Sequence, residues 1–272
     1  MTTIEALPVP PAMAERLGGR PLLLLLDVDG TLSPIAPRPE YATVPAETQH
    51  AIATLTSLPN VHVAIVSGRS ANDARRMVCV DDAWVIGNHG IETAAPNQAA
   101  TARDDVAQFA DRIALASDRA CAIADAIEGR GVIVENKGWT LSVHYRLAHP
   151  RIVPDLTKQI ERIAEDLGLR VTRGKEVLEV RPPVDVDKGT AAVALADALG
   201  ALHDEASVLC AGDDRTDEDM FRSLRARQPR AVTVHVGVET SLDRTLAEFS
   251  VPDTDAMREL LEWLARERSG AP

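Results

Sequence analysis

The chain has 272 residues, 45% of them apolar and 26% charged, with a net charge of −12. That length suits one large domain or two modest ones, and the acidic balance excludes a general nucleic-acid binder. Cys79, Cys121 and Cys210 fall at no metal-binding or redox spacing, no apolar run reaches the length of a membrane span, and no signal-peptide pattern stands at the start, so a cytoplasmic location is expected.

Residues 1–20, with Pro8, Pro10, Pro11 and Gly18-Gly19, read as a tail that holds one short helix around 12–17. Five leucines then run from Leu22 to Asp27, the pattern of a strand buried on both faces of a parallel sheet. Asp27 and Asp29 are two apart at its carboxyl end, where open α/β sheets keep their sites, so both carboxylates project to one side. Such a pair is costly without a cation, and a hard ion such as Mg²⁺ prefers oxygen ligands. Gly30 lets the backbone turn, and the amides and hydroxyl around Thr31 suit phosphate oxygens. Taken alone, the pentapeptide serves equally as an ordinary polar turn.

The proline-rich stretch 33–45 predicts an extended loop, and Ile52, Leu55 and Leu58 predict a helix over 46–58. A β-rich run over 61–66 follows, ending in Ser67-Gly68-Arg69-Ser70 ahead of a helix from 71. A hydroxyl and free helical N–H groups at that strand end can bind phosphate, and Arg69 can fork an anion. Turn and cap roles would account for Ser67 and Ser70 as well. A third run, 83–87, leads into Asn88 and His89, and His89 is either a substrate contact or a structural turn residue.

From about residue 95 to 182 the pattern changes. Helical stretches over 102–127 and 150–167 alternate with short strands around 132–135, 140–146, 170–172 and 177–181, predicting an antiparallel sheet covered by helices on one face. In the second of these strands Leu141, Val143 and Tyr145 alternate with Ser142, His144 and Arg146. Glu135, Lys137, Lys175, Glu179 and Arg181 add charges of both signs to the polar side. That side is either a solvated face or one that reads a polyhydroxylated, phosphorylated ligand.

Asp187-Lys188-Gly189 then opens an alanine-rich helix over 190–199. A cation at a helix start is disfavoured by the dipole, which suggests another task for Lys188, such as neutralising a phosphate beside Asp27. A buried run over 207–211 ends in Gly212-Asp213-Asp214, with Asp217 four residues after Asp213. Asp217, Glu218 and Asp219 suit a helix start, but a Gly-Asp-Asp directly after a buried strand is not explained that way. A strand over 231–236 and an amphipathic helix through Leu260, Leu261 and Leu264 close the chain.

Asp27-Val-Asp-Gly-Thr31, Ser67-Gly-Arg69, Lys188-Gly189 and Gly212-Asp-Asp…Asp217, in that order, resemble the four motifs of the haloacid dehalogenase (HAD) superfamily phosphatases. The insertion between the second and third motifs resembles the C2-type caps of sugar phosphatases. Gly87-Asn-His-Gly-Ile-Glu92, Glu135-Asn-Lys137, Gly174-Lys-Glu-Val-Leu-Glu179-Val-Arg-Pro and the acidic run through Phe221 are similar to the trehalose-6-phosphate phosphatase family, over about residues 21–265. Val28, where many relatives carry Phe or Tyr, departs from the pattern.

The resemblance implies an α/β fold: a HAD-like Rossmannoid core over 21–95 and 183–272, an α+β cap over 96–182 that sets specificity, and a tail over 1–20. It implies hydrolysis of trehalose 6-phosphate to trehalose and phosphate, the last step of trehalose biosynthesis, with functional coupling to a trehalose-phosphate synthase that leaves no mark in the residues. Asp27 would be the nucleophile and Asp29 the acid and base. Mg²⁺ would lie among Asp27, the Asp29 carbonyl, Asp213, Asp214 and Asp217. Lys188, Ser67, Thr31, Gly68 and Arg69 would hold phosphate. Asn88, His89, Glu135, Lys137, His144, Arg146, Lys175 and Glu179 would meet the rest of the substrate. The same chemistry on sucrose or glucosylglycerol phosphate is the nearest alternative, and a non-catalytic sugar-phosphate sensor is another.

Overall fold

A computed structural model describes residues 2–3, 9–126, 131–174, 176–237 and 245–270. The strands along the chain are β1 (Thr2–Thr3), β2 (Leu22–Leu26), β3 (Val61–Val66), β4 (Trp84–Gly87), β5 (Glu92–Ala94), β6 (Thr101–Ala102), β7 (Ile133–Asn136), β8 (Leu141–His144), β9 (Arg170–Gly174), β10 (Val177–Arg181), β11 (Ser207–Gly212), β12 (Val232–Val236) and β13 (Phe249–Val251). The helices are α1 (Pro11–Arg16), α2 (Ala46–Ser57), α3 (Ala71–Val78), α4 (Ala110–Ala126), α5 (Val153–Asp166), α6 (Lys188–Ala198), α7 (Arg215–Arg227) and α8 (Thr254–Ser269). Two compact units result, one from Met1–Thr101 with Val186–Pro272 and one from Ala102–Asp185. Their borders fall a few residues later than the expected 95 and 182.

In the first unit the described strands form one sheet in the order β1-β13-β12-β11-β2-β3-β4-β5-β6. Pairing is parallel from β1 across to β4, and β5 folds back antiparallel on β4. All five leucines of β2 are fully buried, and the period of two divides them between two cores. Leu22, Leu24 and Leu26 pack with Ile52 and Leu55 of α2, Ala74 and Val78 of α3 and Leu260, Leu261 and Leu264 of α8. Leu23 and Leu25 pack with Ala192 and Leu195 of α6 and Met220, Phe221 and Leu224 of α7. Burying each leucine contributes roughly 1.5–3 kcal/mol, so β2 is anchored from both sides and the position of Asp27 just beyond it is fixed.

For residues 9–20 the expectation of a tail over 1–20 is corrected by the same packing. Met13 and Leu17 are buried in the first of these cores, and Arg268 of α8 donates to the carbonyls of Leu17, Gly18 and Gly19. The prolines permit this because Pro11 occupies the first turn of α1, where a missing N–H costs nothing.

The second unit is the expected α+β layer. Its antiparallel sheet runs β7-β8-β10-β9. Leu141, Val143, Leu178 and Val180 face Ile113, Ala116 and Ala120 of α4 and Leu156 and Ile160 of α5. The helix expected from 102 begins only at Ala110, because Arg103 forks onto Asp105 and the intervening acids favour a turn. Fold class is as expected: a Rossmann-like parallel-sheet core carrying an inserted α+β unit.

Candidate active site

The strands β2 and β11 are neighbours in register, Leu26 opposite Ala211, so Asp27 and Asp213 emerge from adjacent strand ends. The backbone N–H of Asp27 donates to the Ala211 carbonyl at 3.0 Å, extending the ladder to the last residue before the turn. Gly30, at φ +89, closes that turn with its N–H on the Ser33 carbonyl at 2.7 Å. A Cβ at Gly30 would collide with the Asp213 carboxylate, so only glycine gives both the left-handed backbone and the space for that acid.

Lys188 starts α6, where the side chain of Asp187 and that of Thr190 cap each other's backbone. Its Nζ donates to Asp27 Oδ1 at 2.7 Å and to Asp217 Oδ1 at 2.9 Å, and all three side chains are buried. Asp217 Oδ2 accepts the backbone N–H groups of Asp213 and Asp214 at 3.1 and 3.2 Å. Asp217 is thus held by the turn and the lysine together. A Cβ at Gly212 would strike the Asp217 carboxylate, so that glycine admits the acid beneath the turn.

Burial pushes the Asp27 carboxyl up to about 7 against the opposing pull of Lys188, with Asp213 and Asp214 pushing further. Burial likewise pushes Asp213 up to about 8, aided by Asp214 and Asp217. Asp217 is raised by burial as well. For Lys188, burial pushes down, but the neighbouring Asp217, Asp27 and Asp214 outweigh it and the ammonium is held well above its usual range. One buried cation faces several carboxylates: burial is the main cause that raises the acids, and their mutual repulsion adds to it.

Oxygen atoms of Asp27, Asp213 and Asp217 lie within 4.8 Å of one another. An all-carboxylate set fits a hard divalent cation, which would relieve the charge that burial and mutual repulsion now oppose. The side chain of Asp214, expected in the metal set, lies outside this cluster, and Asp29 is expected there only through its carbonyl. Asp214 turns back to cap α7, its Oδ1 accepting from the N–H and Oγ1 of Thr216, both at 2.7 Å. Desolvation pushes its carboxyl up, but Lys188 and then Thr216 and Asp217 outweigh it and hold it below the usual range.

Thr31 is buried, and its Oγ1 has no hydrogen-bond partner among the described residues. Ser67 follows β3 on the same sheet edge, and its Oγ accepts the N–H of Arg69 at 3.2 Å. Arg69 differs from expectation: its fork is occupied by Asp29, with Nε on Oδ2 at 2.7 Å and Nη2 on Oδ1 at 2.8 Å. Gly68 carries the His89 ring against its Cα, leaving no space for a Cβ.

Asn88 and His89 both adopt left-handed backbone, φ 49 and 55. Their N–H groups donate to the carbonyls of Arg69 and Ser67 at 2.7 and 3.1 Å, so this turn braces the Ser67–Arg69 segment. Asn88 is fully buried and its Nδ2 donates to Glu92 Oε1 at 2.6 Å. Glu92 also accepts the N–H of Ala71 at 2.8 Å, which ties the start of α3 to β5. Glu92 is not among the expected site residues; its signal in the sequence is its place at the end of Gly87-Asn-His-Gly-Ile-Glu92, four residues after Asn88. Glu218, read as a simple helix starter, is buried and accepts from Thr245 Oγ1 and the Leu246 N–H at 2.6 and 2.7 Å.

The polar sheet face of the second unit is built as the alternation predicted. Ser142 stands opposite Glu135 on one side and Glu179 on the other, and its Oγ donates to Glu179 Oε1 at 2.8 Å. Lys137 Nζ approaches the same oxygen at 3.4 Å, and His144 Nε2 meets Glu135 Oε2 at 2.8 Å. Arg146 pairs with Glu176 at 2.8 Å beside the β9–β10 turn. Lys175 lies outside the described residues.

Comparison with known proteins identifies the family. The family model described as trehalose-phosphatase matches residues 25–255. An uncharacterized glycosyl hydrolase of Mycobacterium tuberculosis is 38% identical over 234 residues, 82% of this chain but 17% of that protein, so the chain spans under a fifth of its length. A probable trehalose-phosphate phosphatase of Oryza sativa subsp. japonica is 31% identical over 274 residues, 93% of this chain and 72% of that protein. A crystal structure of a trehalose-6-phosphate phosphatase related protein aligns with TM-score 0.79 and 27% identity, covering 92% of this chain and all of that one.

Proposed function

The chain belongs to the trehalose-phosphatase family, and we propose that it hydrolyses trehalose 6-phosphate to trehalose and phosphate. The observation that carries this reading is the buried Lys188 joining Asp27, just past β2, to Asp217 in the first turn of α7. A cation beside a carboxylate at a strand end is what a phosphate-attacking nucleophile needs, since two anions must otherwise meet.

Asp27 attacks phosphorus. As the ester P–O bond breaks, its electron pair passes to the sugar oxygen, which takes a proton from the Asp29 carboxyl. Water then attacks the aspartyl-phosphate and gives a proton to Asp29. The P–O bond to Asp27 breaks, and its electrons return to the carboxylate. Lys188, Ser67 and the unpartnered hydroxyl of Thr31 hold the phosphate oxygens. Asp27 and Asp213 with the Asp29 carbonyl would hold Mg²⁺, Asp217 orienting the set. When bound, the ion supplies positive charge to nucleophile and phosphate. The row Glu135–Ser142–Glu179, with Lys137, His144 and Arg146, is the proposed sugar reader, because a face of paired acids and bases matches hydroxyls as donors and acceptors alike.

No described helix is long and apolar enough to cross a membrane. A cytoplasmic site of action is proposed on the three unpaired cysteines, and functional coupling to a trehalose-phosphate synthase on the need for a supply of substrate. The testing experiment is phosphate release from trehalose 6-phosphate, sucrose 6-phosphate and glucose 6-phosphate, each with Mg²⁺ and with a chelator. Mg²⁺-dependent release from trehalose 6-phosphate alone is expected. Release from another sugar would replace the substrate, and binding without release would favour a sensor.

A further inference from the structure

Arg69 has five N–H donors, and four of them make hydrogen bonds. Two grip both oxygens of Asp29. Nη1 donates to Asp73 Oδ2 at 2.8 Å, and Nη2 also reaches the Pro39 carbonyl at 3.1 Å. The guanidinium is one-tenth exposed, the Asp29 carboxylate about one-third. The buried fork therefore holds a more open acid and is not offered to an anion.

Asp73 is itself fixed. It occupies the first turn of α3, its N–H donates to Ser70 Oγ at 3.2 Å, and its other oxygen pairs with Arg76. An acid in a first turn is explained by the helix dipole. The dipole does not explain why Oδ2 turns back along the helix to Arg69, one residue before the N-cap.

We infer that Asp73 is a positioning residue for the reaction: through Arg69 it orients the Asp29 carboxyl, so that its proton meets the departing alkoxide. Held at both oxygens, Asp29 cannot swing between rotamers, and the geometry of proton delivery is set before substrate arrives. This rests on the phosphatase reading above. A positioned general acid matters where the leaving group is a poor one, such as a sugar alcohol. It matters little where the leaving group is stable as an anion, such as p-nitrophenolate.

The test compares kcat/KM, which covers the steps through departure of the leaving group, for an alkyl phosphate the wild type turns over and for p-nitrophenyl phosphate. Asp73→Ala is expected to lose about tenfold or more on the alkyl phosphate and less than about twofold on the aryl one. Arg76→Ala removes the other partner of Asp73 and should leave the ratio of the two unchanged. Arg69→Lys keeps the charge without the fork and should show the same selective loss, which gives a second reading if Asp73→Ala folds poorly. Combining Asp73→Ala with Arg69→Lys should add little to either alone. Equal losses on both substrates, or none, would overturn the positioning role. A wild type with no phosphatase activity on any ester would overturn the phosphatase reading along with it.

Discussion

Lys188 Nζ donates to Asp27 Oδ1 at 2.7 Å across 161 residues of sequence, and both groups are buried. Asp27 follows β2 and Lys188 opens α6, and only the packing of α6 against the parallel sheet brings them together.

Removing the lysine charge leaves Asp27 and Asp217 buried without their shared cation. Lys188→Met should lower unfolding free energy by about 3–5 kcal/mol at neutral pH with chelator present, and the cost should shrink at pH 5, where the acids can take up protons. Urea denaturation at the two pH values measures both. It should also remove turnover.

Asp27→Asn keeps the shape of the nucleophile and an oxygen for Lys188, but it cannot form the aspartyl-phosphate. Turnover should fall at least about a thousandfold while the circular dichroism spectrum and substrate binding persist. Retained turnover would remove Asp27 from the role.

Asp27 at about 7 and Asp213 at about 8 both stand above the ordinary carboxyl value of 3.8. The metal-free folded chain therefore holds protons that the unfolded chain releases. Their stabilisation is complete below about pH 4 and is lost as pH rises through 7 to 8. Mg²⁺ binding should release protons at pH 6.5 and almost none at pH 9, which titration calorimetry in two buffers of different ionisation enthalpy detects. Chelator-treated protein should regain stability at pH 9 when Mg²⁺ is added.

Glu179 shares Ser142 and Lys137 on one sheet face. Glu179→Ala should lower kcat/KM for the sugar phosphate by about ten- to a hundredfold and leave a small aryl phosphate nearly unaffected. Parallel losses on the two substrates would show that this face does not read the sugar.

The backbone plan was legible because its signals are local. Period-two burial in Leu22–Leu26, glycines at the strand ends and the alternation of Leu141 and Val143 with Ser142 and His144 depend on neighbours in sequence. The pairing of Asp27 with Asp213 at one sheet edge followed from the βα rhythm alone. The packing of Met13 and Leu17 did not, because it depends on a core shared with α8 at the far end of the chain.

Residue order alone sets which residue types stand at each strand end, and so which chemistry is available there. Tertiary structure decided how those residues divide the work. Arg69 is equally suited by its fork to a phosphate or to Asp29, and only folding sets it on Asp29 and Asp73. Asp213, Asp214 and Asp217 look interchangeable in sequence. Backbone direction separates them: Asp213 joins the cluster from the strand end, Asp217 joins it from beneath Gly212, and Asp214 turns away to cap α7. Orientation and burial are properties of packing, and they change a carboxylate's role without changing its identity.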